Sequence, residues 1–121
     1  MNICVIGCGY VGLVTGTVFA DLGNEVMCVD VIEEKMQQLN NGIMPIYEPG
    51  LQEMVQRNLA DNRLSFGTSL EKGMDRAEIV FICVGTPPKE NGETDLSQVE
   101  AAARGIARFL RKYTVIVNKS T

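Results

Sequence analysis

The chain has 121 residues, 45% of them hydrophobic, with 15 acidic against 11 basic side chains, a net charge of −4 and no histidine. That is enough for one domain that buries about 65% of its unfolded surface, but it lacks the basic face that a nucleic-acid partner requires. The missing imidazoles exclude histidine general bases, Ser–His and Cys–His nucleophile pairs and histidine metal ligands.

The first predicted element is a strand at Asn2–Ile6 (NICVI). A Gly-rich turn then opens a helix whose Val11, Val14, Val18 and Leu22 recur at helical spacing until Gly23-Asn24 stops it. Val26–Asp30 (VMCVD) reads as the second strand, and Ile32, Met36 and Leu39 as a second helix ending at Asn40–Gly42. Pro49 suits the first turn of a third helix carrying Leu51, Met54, Val55 and Leu59. After a strand at Leu64–Gly67, Thr68 and Glu71 have capping-box spacing for a short helix. Ile79–Val84 (IVFICV) is the fourth strand, and Gly85–Thr94 (GTPPKENGET) the least structured stretch. Asp95 and Gln98 then cap a helix with Leu96, Val99, Ala103, Ile106 and Leu110, and Thr114–Asn118 (TVIVN) is the fifth strand.

Strands apolar on both faces, alternating with helices, predict an α/β fold: a doubly wound, mostly parallel, Rossmann-like sheet in the order 3-2-1-4-5. No helix follows the fifth strand, whereas such folds normally continue, so residues 1–121 are expected to be a truncated domain. No apolar run approaches a membrane span, the longest being Ile79–Val84, and Met1–Gly7 lacks the basic-then-apolar order of a signal peptide. A cytoplasmic protein without membrane contact is expected. Cys4, Cys8, Cys28 and Cys83 contain no Cys-x-x-Cys pair, which argues against zinc; three lie in strand-like runs and are expected to be buried, reduced thiols.

Gly7-Cys8-Gly9-Tyr10-Val11-Gly12 is a G-x-G-x-x-G turn between a predicted strand and helix. In that context the first glycine permits the turn, the second admits a pyrophosphate against the backbone, and the third lets helix and strand pack closely. The helix start presents N–H groups to the anion. Asp30 ends the second strand, 18 residues after Gly12. A carboxylate there accepts from the ribose hydroxyls and repels a 2′-phosphate, which favours NAD over NADP; the alternative is a plain cap on the following helix. Thr86, after the fourth strand, faces the other wall of the switch-point crevice, where it either bonds the nicotinamide half or merely ends a strand at Thr-Pro-Pro.

Together ICVIGCGYVGL (Ile3–Leu13), VDVIEEK (Val29–Lys35), PIYEPGL (Pro45–Leu51), FICVGTP (Phe81–Pro87) and NKST (Asn118–Thr121) resemble the UDP-glucose/GDP-mannose dehydrogenase family, in the family's order and over nearly the whole chain. PIYEPGL discriminates most, because generic dinucleotide binding requires nothing of it. The resemblance implies oxidation of the C6 alcohol of a nucleotide sugar to a carboxylate with two NAD⁺, through an aldehyde and a cysteine thioester. UDP-glucose giving UDP-glucuronate is the leading substrate, with GDP-mannose and UDP-N-acetylhexosamines as alternatives. It places cofactor contacts on Gly7, Gly9, Tyr10, Val11 and Gly12, on Asp30 and Lys35 at the adenosine ribose, and on Thr86 and Thr121 near the nicotinamide. Thr121, in the KST motif, also takes the family's catalytic role of helping to position a water. The nucleophilic cysteine, the catalytic lysine and asparagine, the sugar-nucleotide site and the dimerisation helix lie further along in the family. Residues 1–121 alone are therefore expected to lack dehydrogenase activity, and the whole enzyme to be a homodimer. The competing class is a non-catalytic nucleotide-sensing Rossmann module, against which PIYEPGL and NKST argue.

Overall fold

The computed structural model describes residues 1–119. Five strands, β1 (Asn2–Ile6), β2 (Glu25–Val29), β3 (Leu64–Gly67), β4 (Ile79–Ile82) and β5 (Val115–Asn118), form one sheet in the order β3-β2-β1-β4-β5. All four pairings are parallel; Val5 on β1, for instance, stands opposite both Cys28 on β2 and Phe81 on β4. The expected order and the doubly wound class are both met.

Helices α1 (Tyr10–Asp21), α2 (Glu33–Asn40), α3 (Leu51–Ala60), α4 (Leu70–Met74) and α5 (Ser97–Phe109) cover the sheet. Because successive strand residues face opposite sides, β1 divides its side chains between two cores. Ile3 and Val5 join Leu13, Cys28, Leu39, Val55 and Phe66 on one face; Cys4 and Ile6 join Met74, Val80, Ala102 and Ile106 on the other. Phe19 stacks on Phe81 with ring centroids 5.2 Å apart. Among the described residues no helix is long and apolar enough to cross a membrane.

The face that α1 buries differs from the expected stripe. Val11, Val18 and Leu22 are exposed, while Gly12, Leu13, Gly16, Thr17 and Ala20 face the sheet. The helix packs through small residues because it approaches too closely for valine: a Cβ on Gly16 would stand 2.5 Å from the Cys28 Sγ. Buried Thr17 satisfies its hydroxyl by donating to the Leu13 carbonyl, at 2.7 Å. Other boundaries shift by a residue or two. α3 begins at Leu51 rather than Pro49, with Gly50 as its N-cap. The α4 cap is Ser69, not Thr68; its hydroxyl accepts from the Lys72 N–H. β4 ends at Ile82, and Ala102 rather than Ala103 lies on the buried face of α5. Gly85–Thr94 is less irregular than expected: Pro88 and Thr94 form an antiparallel bridge, and the Lys89 N–H donates to the Glu93 carbonyl at 2.6 Å.

The outer edge of β3 is closed by a side chain. Asn40, the last residue of α2, donates to the Phe66 carbonyl at 2.7 Å and accepts from the Phe66 N–H at 3.1 Å. Its amide thus takes the place of one residue of a sixth strand, blocking an edge that is otherwise open to intermolecular pairing.

Candidate cofactor site

The C-terminal ends of β1, β2 and β4 converge on the Gly-rich turn. The Gly7 N–H donates to the Val29 carbonyl (2.8 Å) and the Cys83 N–H to the Ile6 carbonyl (2.8 Å), so the turn is tied to the strand on either side. Gly7 has φ +97°, in the left-handed region that a side chain resists, and a Cβ there would press within 2.9 Å of the Cys83–Val84 backbone. A Cβ on Gly12 would overlap the Gly7 carbonyl oxygen. At Gly9 only the two chain neighbours approach; no other atom lies within 4 Å of where a Cβ would sit. The first and third glycines are therefore fixed by the protein's own packing, whereas the second leaves space for something else.

That space lies at the N-terminus of α1. Gly9 is the N-cap and caps with no side chain, and no acidic residue stands in the first turn. The first intrahelical bond runs from the Leu13 N–H to the Gly9 carbonyl at 2.9 Å, so the amides of Tyr10, Val11 and Gly12 precede the helical ladder. Uncapped amides at the positive end of a helix dipole suit an anion.

Asp30 joins this turn directly. Its Oδ2 accepts from the Cys8 N–H at 2.8 Å and its Oδ1 from the Val31 N–H at 2.7 Å. A carboxylate offers about four lone-pair directions, so each oxygen retains acceptor capacity for a vicinal diol. Asp30 does not act as a side-chain cap of α2, whose N-cap is Ile32. Lys35 stands half-buried in the first turn of α2, Thr86 is half-buried just after β4, and Thr121 lies outside the described residues. The structure thus brings Gly7, Gly9, Gly12 and Asp30 together with the end of β4, four residues before Thr86.

Three of the four thiols are held protonated by their surroundings. All four are buried and free. Burial pushes the Cys4 thiol up to about 12. A hydrogen bond with Cys8, with burial second, holds Cys28 well above the ordinary thiol range, and burial raises Cys83. Thiols held protonated are poor nucleophiles at neutral pH.

One contact at the site has no local signal in the sequence. The Tyr10 hydroxyl donates to Glu48 Oε2 at 3.0 Å, across 38 residues of chain. Only the unusual PIYEPGL string marked that loop in advance.

The family model for the NAD-binding domain of the UDP-glucose/GDP-mannose dehydrogenase family matches residues 1–121. The UDP-glucose 6-dehydrogenase YwqF of Bacillus subtilis is 50% identical over 121 residues, covering all of this chain and 28% of that protein. Among solved structures, a ternary complex of GDP-mannose dehydrogenase from Pseudomonas aeruginosa superposes with TM-score 0.97 at 39% identity, over 100% of this chain and 28% of that one. A UDP-glucose dehydrogenase from Pyrobaculum islandicum gives TM-score 0.94 at 43% identity, over 99% and 28% respectively. The chain thus spans little more than a quarter of the relatives that it matches.

Proposed function

The chain belongs to the UDP-glucose/GDP-mannose dehydrogenase family as its NAD-binding domain, and we propose that it supplies the cofactor half of an enzyme oxidising UDP-glucose to UDP-glucuronate. The observation that carries this reading is the Asp30 carboxylate bonded into the Gly-rich turn at 2.8 Å, on a chain half identical to a protein named UDP-glucose 6-dehydrogenase.

When bound, NAD⁺ supplies the hydride acceptor. The amides of Tyr10, Val11 and Gly12 hold the pyrophosphate, with Gly7 and Gly12 shaping the turn, Gly9 giving room and Val11 against the cofactor. Asp30 and Lys35 take the adenosine ribose, Asp30 by accepting from its hydroxyls and by repelling a 2′-phosphate. Thr86 and Thr121 serve the nicotinamide end, where Thr121 also helps to position a water. The sugar-nucleotide site, the thioester-forming cysteine and the homodimer contacts belong to the part of the relatives' length that this chain does not span. With no histidine and four buried thiols, residues 1–121 bind the dinucleotide and do not turn over on their own. Four reduced thiols suit a reducing compartment, the cytoplasm. GDP-mannose is the second substrate reading, favoured by the backbone match to the Pseudomonas enzyme.

Calorimetric titration with NAD⁺ and NADP⁺ tests the cofactor assignment. Saturable NAD⁺ binding, weaker NADP⁺ binding and its loss in Asp30→Ala are expected. Equal binding of both nucleotides, or undiminished binding by the variant, would overturn it. The sugar is settled by assaying the full-length enzyme with each nucleotide sugar.

A further inference from the structure

The Pro45–Leu51 motif has no part in the cofactor chemistry described so far, yet its geometry is specific. Ile46 packs against the core cluster beneath α1, and Leu51 is buried within it. These two apolar anchors hold the ends of a short loop. Between them the Leu51 N–H donates to the Glu48 carbonyl at 3.0 Å, and Gly50 turns the chain into α3 with φ +82°. Such a φ is accessible to glycine without strain. The anchored loop presents Glu48, whose Oε2 accepts from the Tyr10 hydroxyl at 3.0 Å. Tyr10 is the first residue of α1, immediately after Gly9, where the pyrophosphate is to sit. Its ring is about half exposed, and its hydroxyl is tethered across the fold rather than to a local partner.

We propose that Glu48 is a positioning residue for the cofactor: by holding the Tyr10 phenol against the Pro45–Gly50 loop, it fixes the ring in one orientation at the start of α1, beside the proposed pyrophosphate site. An aromatic side chain beside a helix N-terminus has rotamers that sweep the anion site. Restricting them in advance removes an ordering cost that the cofactor would otherwise meet on binding. The inference rests on the cofactor assignment above and adds to it a residue from outside the Gly-rich turn. The hydrogen bond, rather than the charge, is the working element, since a carboxylate near the pyrophosphate is itself repulsive.

The test is NAD⁺ titration of the 121-residue chain and its variants. Glu48→Ala is expected to weaken binding about five-fold, the effect of one exposed hydrogen bond. Glu48→Gln keeps an acceptor for the phenol and is expected to bind at least as tightly as wild type. In a Tyr10→Ala background, where no ring needs holding, Glu48→Ala is expected to change affinity less than about two-fold. Ile46 and Leu51 still anchor the loop, so the thermal midpoint is expected to stay near wild type. Unchanged affinity in Glu48→Ala, failure of Glu48→Gln to restore it, an equal loss in the Tyr10→Ala background, or a loss that tracks a fall in thermal midpoint would each overturn the proposal while leaving the cofactor assignment standing. Absence of NAD⁺ binding by the wild-type chain would overturn both.

Discussion

Replacing Gly16 with alanine sets two effects of known size against each other. Alanine is favoured over glycine in a helix interior by about 1 kcal/mol. The added Cβ, however, would stand 2.5 Å from the Cys28 Sγ, about 0.9 Å inside ordinary contact. Val5 and Val26 methyls already lie 3.5 Å away on other sides, and Cys28 is fully buried, so the sulfur has nowhere to retreat. Overpacking by one methyl in such a site costs about 1–3 kcal/mol. The net expectation is a loss of about 1 kcal/mol, and at most about 2, or a fall of up to about 8 °C in thermal midpoint for a domain of this size. Cys28→Ala removes the obstructing atom, at about 1 kcal/mol for the lost sulfur contacts. In that background Gly16→Ala is expected to stabilise, giving a coupling of about 1–3 kcal/mol across the double-mutant cycle. Urea denaturation followed by circular dichroism, with a constant m-value, measures all four corners. If Gly16→Ala is as stable as wild type, or loses the same amount in both backgrounds, helix–sheet contact is not what requires glycine at this position.

Two further outcomes are expected. Asn40→Ala removes both hydrogen bonds to Phe66, should cost about 1–2 kcal/mol, and opens the β3 edge; sedimentation velocity is expected to show stronger concentration-dependent association than in wild type, whose terminal strand β5 already exposes Val115 and Ile116, and association no stronger than wild type's would count against Asn40 as an edge block. On acidification, Asp21 is the sensitive group. Hydrogen bonds from Arg57 and Asn58 hold its carboxyl below the ordinary 3.8. The folded state therefore releases this proton more readily than the unfolded one, so the stabilisation is complete above about pH 5 and is lost as pH falls below the ordinary carboxylate range. The thermal midpoint of wild type should drop as pH falls through and below the ordinary carboxylate range, and Asp21→Asn should drop less, the remainder coming from groups such as Asp95; parallel curves would refute the assignment.

Most of the fold was legible because it rests on period and order. Strands apolar on both faces, such as Ile79–Ile82, have few alternatives to a parallel sheet covered on both sides, and the Gly-rich turn located itself between strand and helix. The error on α1 has a definite cause. Hydrophobic periodicity finds large apolar side chains, but much of the contact here is made by Gly12, Gly16 and Ala20 beside Leu13, and Val11 and Val18 were displaced to the surface by that close approach, while Val14 still packs against the core. The glycine spacing at 12 and 16 was the available signal. Within the site, Asp30 could be read from its distance to Gly12 because the requirement is local to one strand–helix–strand unit. Its bond to the Cys8 amide could not, and neither could Glu48 with Tyr10 nor Asn40 with Phe66. These pairs lie 22, 38 and 26 residues apart, and nothing in one partner's neighbourhood specifies the other.

The double engagement of Asp30 bears on how readily this domain could exchange one dinucleotide for another. Changing preference toward a 2′-phosphorylated cofactor ordinarily begins by discarding the acidic residue at the end of the second strand. Here that step also unties the amide of Cys8, so the first substitution on such a route would loosen the turn before any new affinity had been gained. Asparagine at position 30, able to keep one of the two backbone bonds, is the narrower passage, and a compensating cation in the Val31–Ile32 segment would have to arrive with it. A residue whose two oxygens hold the turn, and to which the proposed function also gives the ribose, makes cofactor choice resistant to single mutations, in directed evolution as much as in natural drift.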